Sequence, residues 1–440
     1  MTQDQPTVSV IIHAYGVDSI IADTLDALHR QSFPALSLEI IVFFTEHNHA
    51  FAELRSEANS GAAIHILHQP GATGSLGRNL AADIAQGDVL VFLDQNAVPE
   101  PDFVQAHVDG HTVGEKVVVI GAYQLVATKQ VNSINIGLRS WWVDRLALLK
   151  DKGHRFSYRD LIGGNFSLRR DLFQGMGQFD DSLQYGQDYE FGIRLIERGI
   201  QFQFAHKASC AFHYHQSVTT LFTWAKEEGQ LFVRLQQQYP NYQFAPRDEH
   251  LQVPKSARWT LFLRLLHWFA FSRSFLGLWV ERHSRRGLRI AEKYGFHYHW
   301  RILFRALSLY WYWFGMSQAM KPADVTVERQ TRSLLAVFLD TETTRRKPDP
   351  ADISVNLEPS LELAEALLDD KGPSSINIYY GQQFLGHIPP QIGAEPIAGR
   401  HLRTILTQDL AVPFLQALAF KKVRISTGGP YRVLPGSIRD

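Results

Sequence analysis

The sequence predicts an α/β protein in three parts. A Rossmann-like domain occupies residues 1–240, a helical segment rich in basic and aromatic side chains follows at 241–335, and a small α+β domain covers 361–440 beyond a linker at 336–360. Three observations carry this reading. Short β-branched runs alternate with amphipathic stretches across residues 8–94, the pattern of a parallel sheet covered by helices. Between residues 255 and 321, twelve basic side chains face only Glu281 and Glu292. Beyond residue 360, two strand-like runs meet around Gly381-Gln382 and lead into a helical pattern.

Composition permits this division. The chain has 440 residues, 45% of them hydrophobic and 20% charged, an ordinary globular mixture. Lys plus Arg and Asp plus Glu number 44 each, so no global field draws in nucleic acid or polyanions. The single cysteine, Cys210, excludes an internal disulfide and fits a reducing compartment, where it reads as a small buried hydrophobe. The first residues lack a basic start, an apolar core and a small-residue cleavage site, so no secretory signal is expected and the expected location is cytoplasmic. The charge-free aromatic run of the helical segment, 306–320, is fifteen residues, short of the roughly 20 needed to span a bilayer.

In chain order, strands are expected at 8–15, 38–44, 63–67 and 88–94. A helix at 19–30 places Ile20, Ile21, Thr24, Leu25 and Leu28 along one face, and a second at 75–86 follows a glycine-rich turn. Gly71, Gly74 and Gly77 lack dinucleotide-fingerprint spacing and read as turn and helix-start residues. From 117 to 212 the pattern becomes mixed, with strands at 117–123 and 201–212 and helices at 168–175 and 188–198. Ligands of open α/β sheets sit beyond the carboxyl ends of the strands, which puts Asp94 at the mouth of the crevice.

The basic segment interleaves its cations with rings that include Trp268, Tyr310, Trp311 and Trp313. Two readings stand open: a surface suited to an anionic lipid interface, placing the protein peripherally on the cytoplasmic face of a membrane, or helices that pack on the first domain and show water a basic face. The linker carries Arg345, Arg346, Lys347, Pro348 and Pro350. In the last domain, strands are expected at 376–380 and 383–388, a helix at 401–420, and a closing strand and turn at 423–434.

Four clusters, in order, resemble glycosyltransferase family 2 over roughly residues 6–240. The first is Val8-Ser9-Val10-Ile11-Ile12 with Tyr15, Leu25, Leu28 and Gln31. The second is Gly77-Arg78-Asn79, then Gly87-Asp88 and Val91-Phe92-Leu93-Asp94. The third is Gly163-Gly164-Asn165 with Arg169-Arg170, Gly177 and Phe179-Asp180. The fourth is Tyr185-Gly186-Gln187-Asp188-Tyr189-Glu190 with Arg194-Leu195, Gly199 and His213.

The resemblance implies a GT-A fold, the Rossmann-like fold of nucleotide-diphospho-sugar transferases, and inverting transfer of a sugar to a glycan or lipid-linked acceptor, with a place in cell-surface polysaccharide synthesis. Such chemistry must neutralise charge that grows on a diphosphate leaving group, which a divalent cation such as Mn²⁺ or Mg²⁺ does. The implied metal ligands are Asp94, Asn96 and His213, with His215 as the alternative histidine. The implied donor contacts are Asp94, Asn96, Arg78, Tyr15 and Glu46. Asp188 is the implied general base, since an inverting displacement needs a carboxylate to take the acceptor hydroxyl's proton. Gly163, Gly164, Asn165 and Glu190 are expected to frame the acceptor. The chain departs from the family at Asn96, where a second acid is usual, at Gln187 in place of Glu, and at Thr45-Glu46-His47 after the second strand. His13 and Gly16 stand where Pro and Asn are frequent. These departures support a second reading, a degenerate member that binds a ligand or partner without turnover. A third class, nucleic-acid binding through the basic segment, lacks any reading motif.

Overall fold

The computed structural model describes residues 7–15, 20–45, 62–126, 133–213, 217–240, 257–271, 276–320, 352–391 and 393–426. The chain divides into two compact units, Met1–Lys150 with Phe156–Thr341, and Asp151–Arg155 with Glu342–Asp440.

The first unit is built on an eight-stranded sheet in the order β3-β2-β1-β4-β7-β6-β8-β5. Its strands are β1 (Val8–Ala14), β2 (Leu38–Phe44), β3 (Ala63–His68), β4 (Val89–Asp94), β5 (Ala97–Pro99), β6 (Val117–Leu125), β7 (Asn165–Arg169) and β8 (Gln201–Phe212). The helices that cover it are α1 (Ile21–His29), α2 (Gly74–Ile84), α3 (Phe103–Gly110), α4 (Ser133–Lys150), α5 (Arg170–Gly175) and α6 (Gln187–Glu197). β1 pairs in parallel with β2 on one side and β4 on the other. The reason is visible in its residues. Val8, Val10, Ile12 and Ala14 enter one core and Ile11 the other, so the strand is apolar on both faces and needs a helical layer on each.

Beyond β4 the sheet turns mixed, as expected. β7 runs antiparallel to β4 and β6, and β8 runs parallel to β6. The expected helix over 168–175 is corrected here: Asn165–Arg169 is strand and the helix begins at Arg170. Phe166 and Leu168 point into one core while Asn165 and Ser167 point away, the period of two that marks a strand. On that polar side, buried His107 reaches Ser167 Oγ at 2.9 Å and Asn165 Oδ1 at 3.0 Å, and His111 reaches Ser167 Oγ at 2.9 Å.

The helical segment comprises α7 (Val218–Gln238), α8 (Ala257–Phe271), α9 (Leu276–Lys293) and α10 (His297–Ala319). It shares an apolar cluster with α6, in which Tyr189 and Ile193 meet Leu231, Tyr310 and Trp313. α7 and α10 touch main chain to main chain. A Cβ on Gly229 would lie 2.0 Å from the Tyr312 carbonyl oxygen, and one on Gly315 would lie 1.9 Å from that of Lys226. No helix among the described residues is long and apolar enough to cross a membrane.

The second unit has a three-stranded sheet, β11-β10-β9. The hairpin of β10 (Ile376–Tyr380) and β11 (Gln383–Ile388) is as expected, turning at Gly381 with φ +60°. Three expectations are revised. β9 (Ile353–Asn356) lies within the stretch read as linker and pairs in parallel with β10. The helix expected over 401–420 is two helices, α12 (Gly399–Thr404) and α13 (Ala411–Ser426), joined through a π turn at Ile405–Asp409. Pro413 lacks an N–H and sits in the first turn of α13, where none is needed. The strand expected from 423 is therefore helical through Ser426, and 427–434 lies outside the described residues. α11 (Leu361–Lys371) completes the unit, its Ser360 cap accepting from the Leu363 amide.

Candidate active site

The site grows from the carboxyl ends of β1 and β4, where His13 stands opposite Asp94 in the parallel ladder. The chain after β4 folds back at once. Asp94 Oδ1 accepts the Asn96 amide at 2.8 Å, and the Asn96 carbonyl accepts the His213 amide at 2.9 Å. The antiparallel pairing of β5 with β8 makes that second contact, bringing Asp94, Asn96 and His213 onto adjoining backbone. Burial pushes the Asp94 carboxyl above its usual range, opposed by the Asn96 amide and the Arg78 charge.

Between these residues, Gln95 has a role that the motif did not reveal. Its Oε1 accepts the Tyr15 amide at 2.8 Å and its Nε2 donates to the Tyr15 carbonyl at 2.7 Å. The clamp fixes the end of β1, and Tyr15 is left 46% exposed beside Asp94, whose charge, followed by burial, raises its phenol. His13 packs at a tilt against Tyr15 and Phe43, with ring centroids at 5.2 and 5.5 Å. Burial first, and then Arg78, lowers its imidazole to about 3, so it is neutral at physiological pH.

Gly163 and Gly164 link the two acidic residues, Asp188 through its carboxylate and Asp94 through its main chain. The Gly163 amide donates to Asp188 Oδ2 at 2.9 Å, while the Gly164 carbonyl accepts the Asp94 amide at 2.8 Å. A side chain would be tight at Gly163 and would force its neighbours to move at Gly164. A Cβ on Gly163 would lie 3.1 Å from Asp188 Oδ2 and 3.3 Å from Arg78 Nη1, and one on Gly164 would lie 2.5 Å from the Tyr123 hydroxyl and 2.9 Å from Asp94 Cβ. Arg78, on α2, therefore stands with Asp188 around Gly163, and its guanidinium lies 5.8 Å from the Phe179 ring centroid. Asp188 is in the first turn of α6, where a carboxylate also faces the positive end of the helix.

Two expected acceptor residues have other partners. Asn165 is fully buried, its Nδ2 donating to the carbonyls of Ala122 and Ala208 at 3.1 and 3.2 Å while its Oδ1 meets His107. It locks β7 to β6 and β8 rather than facing the crevice. Glu190 is buried as well. It takes Arg194 Nε at 2.8 Å and Nη2 at 2.8 Å, and accepts the Tyr239 hydroxyl at 2.9 Å. Arg194 in turn donates to the carbonyls of Met176 and Gln178, so Glu190 supports a turn instead of a substrate. Glu46 and His215 lie outside the described residues.

A parallel half-sheet that passes into a mixed half, with an acid ending the central strand and another opening a helix across the crevice, defines the GT-A class. Residues 9–177 match the family model described as Glycosyl transferase family 2. The amylovoran biosynthesis glycosyltransferase AmsB of Erwinia amylovora is 28% identical over 217 residues, 47% of this chain and 69% of the relative. The uncharacterized glycosyltransferase YfnE of Bacillus subtilis is 23% identical over 255 residues, 48% of this chain and 65% of the relative. The chain thus spans about two thirds of each relative's length. Among solved structures, the mannosyltransferase PcManGT of Pyrobaculum calidifontis, in complex with GDP-Man and Mn²⁺, covers 69% of this chain and 86% of its own at 15% identity, with a TM-score of 0.46.

Proposed function

We propose that this glycosyltransferase moves a sugar from a nucleotide-diphosphate donor to a hydroxyl of a glycan or lipid-linked acceptor with inversion, as a step in cell-surface polysaccharide synthesis. The observation that supports it best is the Gly163-Gly164 segment, which holds the Asp188 carboxylate on one residue and Asp94 on the next. In this reading Asp188 takes the acceptor proton as that oxygen attacks the anomeric carbon. Arg78 offers its guanidinium to the donor phosphates, and Tyr15, held by Gln95, packs against the donor. Gly163 and Gly164 allow the acceptor a close approach to the main chain.

The residues at the β4 end fit a weakly held divalent cation. Their donor set is the Asp94 carboxylate, the Asn96 amide oxygen and the His213 imidazole, while among the described residues no three His, Cys, Asp or Glu side chains come together. What such a cation supplies when bound is positive charge against the diphosphate leaving group.

Thermal stabilisation by a panel of nucleotide sugars, with and without Mn²⁺, tests the donor assignment, because a ligand that binds only the folded state raises the melting temperature. Stabilisation by one donor, together with transfer that depends on Asp188, is the expected result. Stabilisation without transfer to any acceptor would replace this reading with that of a binding module, which Asn96 and Gln187 favour.

A further inference from the structure

We infer that the corner joining α9 to α10 is a docking tip for an anionic phospholipid bilayer. Seven consecutive residues, 293–299, are exposed, and they read Lys-Tyr-Gly-Phe-His-Tyr-His. Tyr294 is 64% exposed, Phe296 55% and Tyr298 58%, in a chain that buries most of its described large rings. The rings touch one another: Tyr294 and Phe296 lie 6.3 Å apart, Phe296 and His299 6.2 Å, and Tyr298 and His299 5.6 Å. They form one patch rather than scattered exposure.

The tip is built into the backbone. Gly295 has φ +70° and donates to the Glu292 carbonyl at 3.1 Å, while the Phe296 amide donates to Ala291 at 2.8 Å. This is the paired hydrogen bonding of a Schellman helix end. The side chain after the glycine commonly folds back onto the helix in that motif. Phe296 occupies that place and remains turned outward.

Charge selects the occupant. Arg286, Arg289 and Lys293 on α9 and Arg301 on α10 are exposed on the helices that flank the corner, with Glu292 the one acid from 286 to 301. Lys293 Nζ lies 5.8 Å from the Tyr294 ring centroid. The apolar side of α9 is already used within the protein, where Leu288 and Ala291 pack with Phe222, Trp300 and Leu307. What the corner presents is therefore an exposed ring patch on a turn whose flanking helices carry exposed cations. Rings of this kind sit at headgroup depth, and the cations pair with lipid phosphates. The inference is independent of the role of Asp188, and its failure would leave that role untouched.

Vesicle flotation of the full chain at low salt tests it, with phosphatidylcholine alone and with phosphatidylcholine mixed with phosphatidylglycerol. Wild type floats with the mixed vesicles only. Replacing Arg289→Gln and Lys293→Gln weakens that binding by roughly 25-fold, about fivefold per cation removed. The pair Tyr294→Ser and Phe296→Ser weakens it at unchanged net charge, and wild-type melting temperatures show that both pairs fold. Three results overturn the proposal: no flotation of wild type, loss in the charge pair with none in the ring pair, or concentration-dependent self-association or RNA binding through these residues without vesicle binding.

Discussion

Gly163 and Asp188, 25 residues apart, are joined by a hydrogen bond from the glycine amide to the carboxylate at 2.9 Å. An asparagine at 188 keeps an oxygen for that bond and loses only the ability to take a proton. Asp188→Asn will therefore bind donor as wild type does while transfer falls by about 10² to 10⁴. Turnover and donor affinity measured on one preparation decide it, since equal loss in both would make Asp188 a scaffold residue.

Gly164 admits no side chain because Tyr123 and Asp94 both close on it. Gly164→Ala will displace Asp94 and weaken donor binding, with an overpacking cost of about 1–3 kcal/mol read as a lower melting temperature. Gly175→Ala, which meets nothing within 4 Å, is the control and will leave both quantities near wild type.

Removing the clamp on Tyr15 separates positioning from chemistry. Gln95→Ala deletes two hydrogen bonds, each contributing about 0.5–1.5 kcal/mol net. Donor dissociation will rise more than maximal turnover falls, and a variant with unchanged affinity would show that Tyr15 needs no such support.

Glu190 offers the opposite signature to Asp188. Glu190→Ala leaves Arg194 without its buried partner and will cost roughly 3–5 kcal/mol of stability. Any variant that folds will retain its acceptor affinity, whereas a change in acceptor KM at wild-type stability would return Glu190 to the binding site.

Acid will test the polar layer behind β7. Burial lowers the His107 imidazole from the ordinary 6.5 to about 3, against a smaller opposing effect of Asn165. Within that window the unfolded chain takes up a proton that the folded chain refuses, so this contribution is complete above 6.5 and is lost as pH falls. His107→Gln will flatten the decline by up to one proton, about 1.4 kcal/mol per pH unit. Parallel denaturation curves across that range would show that the buried network tolerates the charge.

Much of this architecture is legible in the residues because β1, β2 and β4 are apolar on both faces, which only a covered parallel sheet satisfies. The position of Asp94 follows from that. β7 is harder, since its alternation covers only Asn165 to Leu168 and the strand runs without a break into the helix that begins at Arg170. Glu190 holds the clearer lesson. Two positions along a helix rotate a side chain by about 200°, so an α6 that turns Asp188 toward Gly163 necessarily turns Glu190 away, and periodicity alone contains this. Nothing comparable announces Gln95. Its clamp joins residues 80 apart, and only the parallel register of β1 and β4 makes them neighbours.

The seam between α7 and α10 has an evolutionary consequence. Where a small residue accommodates a large one, enlarging the first can be repaired by trimming the second. At Gly229 and Gly315 the opposing atoms are the carbonyls of Tyr312 and Lys226, which every amino acid carries alike. No second-site substitution can make room, so drift at either position requires the helices to part, and the segment that bears the ring-tipped corner stays bound to α7 through changes elsewhere on its surface.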